Sequence, residues 1–529
     1  MEELKQLETL LSRGKITRRE FLAKTSALGL TALAAASLPG VPALAATPKK
    51  GGRFRVGVPA GATSDSLDPV NMSGMMRTFI GFGQLYNCLV EIDHKNNAVS
   101  ELAQTWEASS DAKQWIFRLC KGVEFHNGKL LDAEDVIFSL NRHRGEKSKS
   151  WAKGLLKQIR DIRADGKHTL VFTLEDSNVD FPYILSSYPL GIIPSGTADF
   201  EKGIGTGGYM LTSFTPGVRC LTKRNPNYWK QGRAHFDEVE TIHLSDTAAR
   251  TNALRTDATD YMARCDYKTA GLLGKLPGIQ VISKTGGGYV VLPMQTDIPP
   301  YDRNEVRLAL KYAIDREQMV SHILHGHGTP GNDHPIAPSM RFFASGLEQR
   351  RYDPDKARHL MKKAGLAGHT FRFHVADIDF PGVDTAVLYK EQAAKAGIRI
   401  EVMKEPEDGY WSNVWGKRPW FFSNWHGRPT EDLALSLGYA ENSAWNETHF
   451  RHERFNALLR ASRGEFKDVM RREMYAEMQR ILRDEGGALV PFFPNILDAA
   501  ATKVKFENFA SNYKALDGCK AAERLWFES

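Results

Sequence analysis

Apolar positions recur with a period of two early in the chain. Gln114–Leu119 puts Trp115, Phe117 and Leu119 on one face, and Leu170, Phe172 and Leu174 repeat the pattern after the turn residues Asp165-Gly166; both segments are predicted strands. Asp132-Ala-Glu-Asp-Val-Ile-Phe-Ser-Leu reads as a helix start, with acidic side chains against the positive end of the helix dipole. Beyond residue 300 the period lengthens. Asn304 is expected to cap a helix over 304–325 that stops at Gly326, with Val306, Leu310, Ala313, Ile314 and Ile323 as its stripe. Asp353-Pro354 opens a further helix that Gly365 closes. A strand over 371–375, a helix over 385–396 ending at Gly397 and a strand over 398–402 make a βαβ unit. A long amphipathic helix over 466–484 leads into an apolar strand over 488–493. The fold class is α/β, in at least two lobes.

The first residues carry an address. Thr17-Arg18-Arg19-Glu20-Phe21-Leu22 holds twin arginines, a mildly apolar stretch follows, and Ala43-Leu44-Ala45 before Ala46 is a small-x-small cleavage pattern. Gly29, Pro39, Gly40 and Pro42 interrupt the run, which is too weak for a membrane span of about 20 strongly apolar residues. The expectation is a twin-arginine export signal over 1–45 and a periplasmic chain from Ala46 onward.

Composition narrows the class. At 42% hydrophobic and 25% charged residues the chain is that of an ordinary water-soluble protein. Its net charge is +7, of which the leader, with six basic and four acidic residues, carries +2. The signs are interspersed, which argues against a nucleic-acid partner. Cys88, Cys120, Cys220, Cys265 and Cys519 are widely spread, none in a CxxC pair, so buried free thiols are expected and any disulfide stays unassigned.

Several segments, in order, carry a resemblance: Ser66-Leu-Asp-Pro69; Glu101-Leu-Ala-Gln-Thr-Trp-Glu107; Lys121-Gly-Val-Glu-Phe-His-Asn-Gly128 with Asp132-Ala-Glu-Asp135; Gly205-Thr-Gly-Gly-Tyr209; Arg224-Asn-Pro-Asn-Tyr-Trp229; Val306-Arg-Leu-Ala-Leu-Lys-Tyr-Ala-Ile-Asp-Arg316; and Tyr352-Asp-Pro-Asp-Lys-Ala357. Together they resemble the family 5 extracellular solute-binding proteins, the dipeptide-, oligopeptide-, opine- and nickel-binding receptors of ABC importers, over essentially the whole chain after the leader. The resemblance implies a periplasmic-binding-protein-like α/β fold (type II, cluster C-like), with two lobes, a hinge and a smaller inserted domain. Lobe I is expected from 46–86, 206–290 and 495–529, the insertion from 87–205, and lobe II from 291–494. It also implies a small-molecule ligand held in the cleft, lobes that close over it, docking on an inner-membrane ABC permease, and a monomer.

The same resemblance points to cleft residues. In peptide-binding relatives a Trp-x-x-Asp segment lines the site and its aspartate pairs with the peptide's amino terminus. Here the matching stretch is Asn424-Trp425-His426-Gly427-Arg428, with arginine at the aspartate position. That reversal disfavours an ammonium group and suits a carboxylate, sulfonate or phosphate. Alternatively, Arg428 braces Glu431 or Asp432. Arg264 is placed on a cleft-facing position, or else on the surface. After Asp68-Pro69, the residues Ser73, Gly74, Met75 and Met76 are expected to reach the ligand, with core packing the alternative for the two methionines. Trp445 and Asn446 fall where relatives have an asparagine-containing loop; Arg341 and Trp411 are further candidates.

No cofactor is called for. His322, His325 and His327 cluster at a helix stop without an acidic ligand at fixed spacing, so no metal site is expected. Gly286-Gly287-Gly288 lacks the lysine of a phosphate loop and reads as a flexible or closely approached turn, and no nucleophile motif is present. The leading function is a non-enzymatic receptor for a short peptide, opine or other organic anion. The competing readings are a nickel- or haem-type receptor of the same fold and an exported hydrolase.

Overall fold

The computed structural model describes residues 48–509 and 514–528; the leader lies outside them. A mixed sheet runs in the order Ile279–Thr285, Phe492–Ala501, Tyr261–Met262, Arg53–Val58, Glu238–His243, Arg219–Arg224, Tyr209–Thr215, with Gly328–Pro330 joined to the far end of Phe492–Ala501. Arg53–Val58 is parallel to both of its neighbours, and the other pairings are antiparallel. Phe54 and Val56 anchor a core that extends into a four-stranded antiparallel sheet, Ala103–Ala108, Gln114–Leu119, Thr169–Leu174, Ile159–Ala164. Trp115, Phe117 and Leu119 are buried while Arg118 is exposed, as the alternation requires.

Asp132 caps its helix through the amides of Glu134 and Asp135, and the Asp135 carboxylate returns a bond from the Asp132 amide. The glycines of Gly205-Thr-Gly-Gly-Tyr209 have a packing reason. Gly207 donates its N–H to the Leu85 carbonyl, and a Cβ there would fall inside contact distance of the Gln84 carbonyl oxygen. His126, from the Lys121–Gly128 motif, bonds the Gly207 carbonyl at 3.0 Å, so two of the resembling segments meet.

Other hydrophobic residues form separate cores, one around Phe371, Phe373, Tyr389 and Trp420 and one around Tyr289, Trp425, Phe455 and Tyr475. Thr370–Val375 and Arg399–Lys404 pair in parallel, joined by the helix Gly382–Ala394, which is the βαβ unit read from the sequence. The expected helix over 304–325 is in fact two, Asn304–Tyr312 and Arg316–Ile323. Asp315 breaks it by accepting the Gln318 amide as the second helix's cap. Nor does Asn304 cap the first helix; it is its first residue, and its amide group donates to the Asp484 carbonyl. The expected strand over 488–493 divides into Ala488–Leu489 and Phe492–Ala501, with Pro491 between them.

Two chain segments therefore run between the cores, Ile279–Thr285 continuing into Tyr289–Pro293, and Phe492–Ala501. Gly288 lies at the first passage, where a Cβ would sit 3.0 Å from the Trp425 carbonyl oxygen. All five cysteines are free, four of them buried. Among the described residues no helix is long and apolar enough to cross a membrane.

Gly207→Ala is expected to destabilise the protein by about 1–3 kcal/mol, because the added methyl group must push the backbone at Gln84 and Leu85. Urea denaturation measures it, and an unchanged midpoint would contradict the packing account.

Candidate functional site: a cleft between the cores

The site is built on the short strand Ser423–Trp425, which pairs antiparallel with Tyr289–Pro293. Pleating puts Ser423 and Trp425 on one face, and both donate to the same carboxylate: Ser423 Oγ to Glu447 Oε2 and Trp425 Nε1 to Glu447 Oε1, each at 2.7 Å. Trp415 Nε1 adds a third bond at 2.6 Å. Burial pushes the Glu447 carboxyl up to about 7 despite these donors. Tyr289 lies parallel to the Trp425 ring at 6.4 Å, and Trp445 meets its edge at 6.0 Å. The indole is thus held on three sides, with its remaining side turned to the cleft.

A cavity of about 430 Å³ opens there, and Gly74, Met75, Arg264, Trp425 and His426 line it. Gly74 takes a left-handed φ of 75° at the start of the helix Met75–Ile80. Arg264, at φ 57°, is held by its amide on Asp498 Oδ1 at 2.9 Å. Its guanidinium reaches Asp379 at 3.3 Å, and Asp379 also stands 3.9 Å from His426 Nε2. Partial desolvation, and then the charge on Arg264, lower the pKa of the half-exposed His426 ring to about 4, so it is neutral at pH 7.

The other expected residues fall elsewhere. Ser73 receives the Arg77 guanidinium on its hydroxyl and carbonyl, and Met76 is fully buried in the core. Asn424 points away from Glu447, is buried, and its Oδ1 has no partner. Asn446 spends its amide inside its own loop, on Phe450 and Thr448. Trp445 supports Trp425 from an exposed position. Arg341 pairs with Asp468, and Trp411 packs on Tyr410 and Trp415; neither lines the cavity.

Arg428 stands just beyond the lining, its guanidinium 5.8 Å from the Trp425 ring. It does not brace its acidic neighbours. Glu431 accepts the Phe342 amide at 2.7 Å, and Asp432 is paired with Arg463 at 2.7 Å. Among the described residues Arg428 forms no ion pair, and its buried Nε has no partner. Among the lining residues that were not foreseen are Tyr188, Tyr267, Asp379 and Lys514. Lys514 comes from the C-terminal segment and lies 3.9 Å over the Tyr188 ring. Burial, then the charges of Arg264 and Arg428, lower its pKa to about 8. The histidine cluster is engaged locally, His322 with Gln318 and His327 with Ser283, and among the described residues no group of three or more ligating side chains could hold a metal.

Residues 97–447 match the family described as bacterial extracellular solute-binding proteins, family 5 Middle. The chain belongs to this family. The di/tripeptide-binding protein 1 of Pseudomonas aeruginosa (strain UCBPP-PA14) is 25% identical over 451 residues, 78% of this chain and 82% of that protein. Two solved structures share the fold: the periplasmic binding protein DppA of Helicobacter pylori in complex with the peptide STSA (TM-score 0.75, 22% identity, 91% of this chain and 99% of that one), and AgaA of A. tumefaciens R10 in complex with agropinic acid (TM-score 0.74, 23% identity, 90% and 99%). The protein is a solute-binding receptor of an ABC importer, and the members of its family are binding proteins that work with permeases.

Glu447 gives the receptor a pH signature. Its carboxyl titrates near 7 when folded against 4.5 in the open chain, so the native state keeps a proton that the unfolded state has released. The stability contributed by this group therefore falls as pH rises from about 4.5 to about 7. Glu447→Gln is expected to remove that slope and to cost about 1–3 kcal/mol at pH 7, because an NH₂ then faces the Ser423 or Trp415 donor. Urea denaturation from pH 5 to 8 reads both effects.

Proposed function

We propose that this receptor captures a small organic anion, such as an acidic peptide, an opine or another organic acid, and hands it unchanged to the permease. The observation that carries the reading is Arg428, which takes no acidic partner among the described residues beside the Trp425 ring and faces a wall that presents Arg264 and Lys514. An anionic group meeting that guanidinium gains a charge-assisted, bidentate bond, whereas an ammonium group would meet like charge. The relatives' ligands, di- and tripeptides in one case and agropinic acid in another, are of the size and polarity this reading requires. The lobes follow the partition 46–86, 206–290 and 495–529 for lobe I, 87–205 for the insertion and 291–494 for lobe II. The receptor acts as a monomer, without nucleic acid, cofactor or chemistry on its ligand.

A thermal-shift panel of short peptides, opines, organic acids and sulfonates tests the ligand class. Acids should raise the melting temperature, and Arg428→Asp should weaken the best binder at least about tenfold, the scale of one charged hydrogen bond. Stabilisation by neutral peptide amides alone, or unchanged affinity in the variant, would overturn the reading, and product formation from any ligand would overturn the non-enzymatic role.

Export to the periplasm follows the twin-arginine route, with cleavage after Ala45. Replacing Arg18 and Arg19 together with lysine should leave an uncleaved precursor in the cytoplasm, which fractionation and intact-mass measurement detect. Normal export of that variant would rule the route out.

A further inference from the structure

The charges at the cleft do not balance for a ligand with a single acidic group. Arg264 and Lys514 line the cavity, and Arg428 stands close enough to influence Lys514, His426 and Tyr188. Asp379 is the one carboxylate in the lining. His426 beside them is neutral at pH 7. Of these three cations only Arg264 has a carboxylate partner for its side chain among the described residues, which leaves Arg428 and Lys514 to be met.

Those two charges stand on opposite walls. Asp379 is engaged with Arg264 across the cleft, which leaves Arg428 and Lys514. Arg428 follows the strand Ser423–Trp425, packed with the core around Tyr289 and Tyr475. Lys514 precedes Ala515 and Leu516, which belong to the core around Phe54 and Val56. Lys514 has no ion pair among the described residues and rests on the π face of Tyr188, an arrangement that only partly offsets the loss of water around an ammonium group. The lining also offers apolar surface, from the rings of Trp425, Tyr188, Tyr267 and Phe380 and from Met75, Ile496 and Leu497.

Resting on the anion-capture reading, we propose that the ligand carries two acidic groups on an apolar spacer, one meeting Arg428 and the other Lys514, and that Lys514 selects for the second. A ligand of this kind touches both walls at once, so its binding energy is available to hold them together. A ligand with one acid satisfies one wall and leaves the other, half-buried cation without a counter-charge, which is the penalty that discriminates against it.

The test uses the mature receptor and matched probes: straight-chain diacids from succinate to suberate and the three phthalate isomers, each against its monomethyl ester. The best diacid should bind at least about tenfold more tightly than its ester, the scale of one charge-assisted bond. In Lys514→Met the diacid-to-ester ratio should fall to about one. A pH series supplies a readout that a merely structural lysine would not move. The groups facing the Lys514 ammonium are Arg264, Arg428, Tyr188 and Cys519, with His426 and Asp379 on the opposite side. A second acid would raise the Lys514 pKa from about 8, so diacid affinity should be full below pH 8 and fall above it, while the Met variant stays flat between pH 7 and 9. Equal binding of diacid and ester, or a ratio unchanged by Lys514→Met, overturns the proposal and leaves anion capture standing. Binding of neither diacids nor monoesters overturns both.

Discussion

Strand Phe492–Ala501 begins against Gly328–Pro330 beside the second set of cores and ends against Ile279–Thr285 in the first sheet. Its ladder thus belongs to both halves of the molecule, and the cavity lies where it crosses, with residues 494–497 in the lining. The strand also carries Asp498, fully buried, which accepts from the Tyr261 hydroxyl, the Arg264 amide and the Leu516 amide. One carboxylate therefore ties the loop that presents Arg264 to the segment that presents Lys514. Because the strand is shared, a change in the angle between the halves must turn about this ladder, and the first-wall cations turn with it.

The opposite wall is organised by a second buried carboxylate that, like Asp498, accepts from neutral donors. Glu447 is surrounded by neutral donors, and its work is to orient Trp425. Asp498 and Glu447 each hold a wall rigid through several bonds to a single acceptor, so the cations beside them can be displayed without neighbouring carboxylates to hold them in place. Arg428 and Lys514 accept an electrostatic cost that a structural pair would remove. Elsewhere buried cations are held by carboxylates or by backbone carbonyls, as with Asp333 between Arg316 and Arg350, Arg471 on Asp180, and Lys311 on the carbonyls of Leu482, Arg483 and Gly486. The contrast marks the cleft as the place where charge is kept available for a partner that comes from outside.

Much of this was legible in the chain. The alternation of 114–119, the βαβ unit and the cap at Asp132 are local, and each survives in the folded protein because tertiary packing agrees with propensity. Trp425, His426, Gly74, Met75 and Arg264 were legible through motif position. Lys514, Asp379, Tyr188 and Tyr267 were not, because they reach the cavity from segments far apart in sequence, and nothing in their local pattern differs from a surface residue's. Asn446 misled for a related reason: an asparagine beside an aromatic reads as a ligand contact, yet its amide is consumed by bonds four residues away. The helix over 304–325 failed on one residue, since an apolar stripe cannot reveal that Asp315 will cap a new helix.

The cross-cleft ion pairs bear on how closure is controlled. Arg264–Asp379 and Lys268–Asp384 both span the gap, but every side chain in them is at least 37% exposed. Exposed pairs of this kind contribute at most about 1 kcal/mol each and weaken further in salt. Asp180–Arg471 is buried, yet it joins the segment before Phe181 to the helix Asp468–Glu485 away from the cavity mouth. The exposed latches are therefore too weak to commit the two walls to one another. They can steer the walls into register as they approach, and a ligand that meets the cations inside would add to the contacts that hold them there. On the proposed reading, a ligand that neutralises both walls favours closure more than one that meets a single wall, and a permease that recognises the closed form would then respond to correct capture.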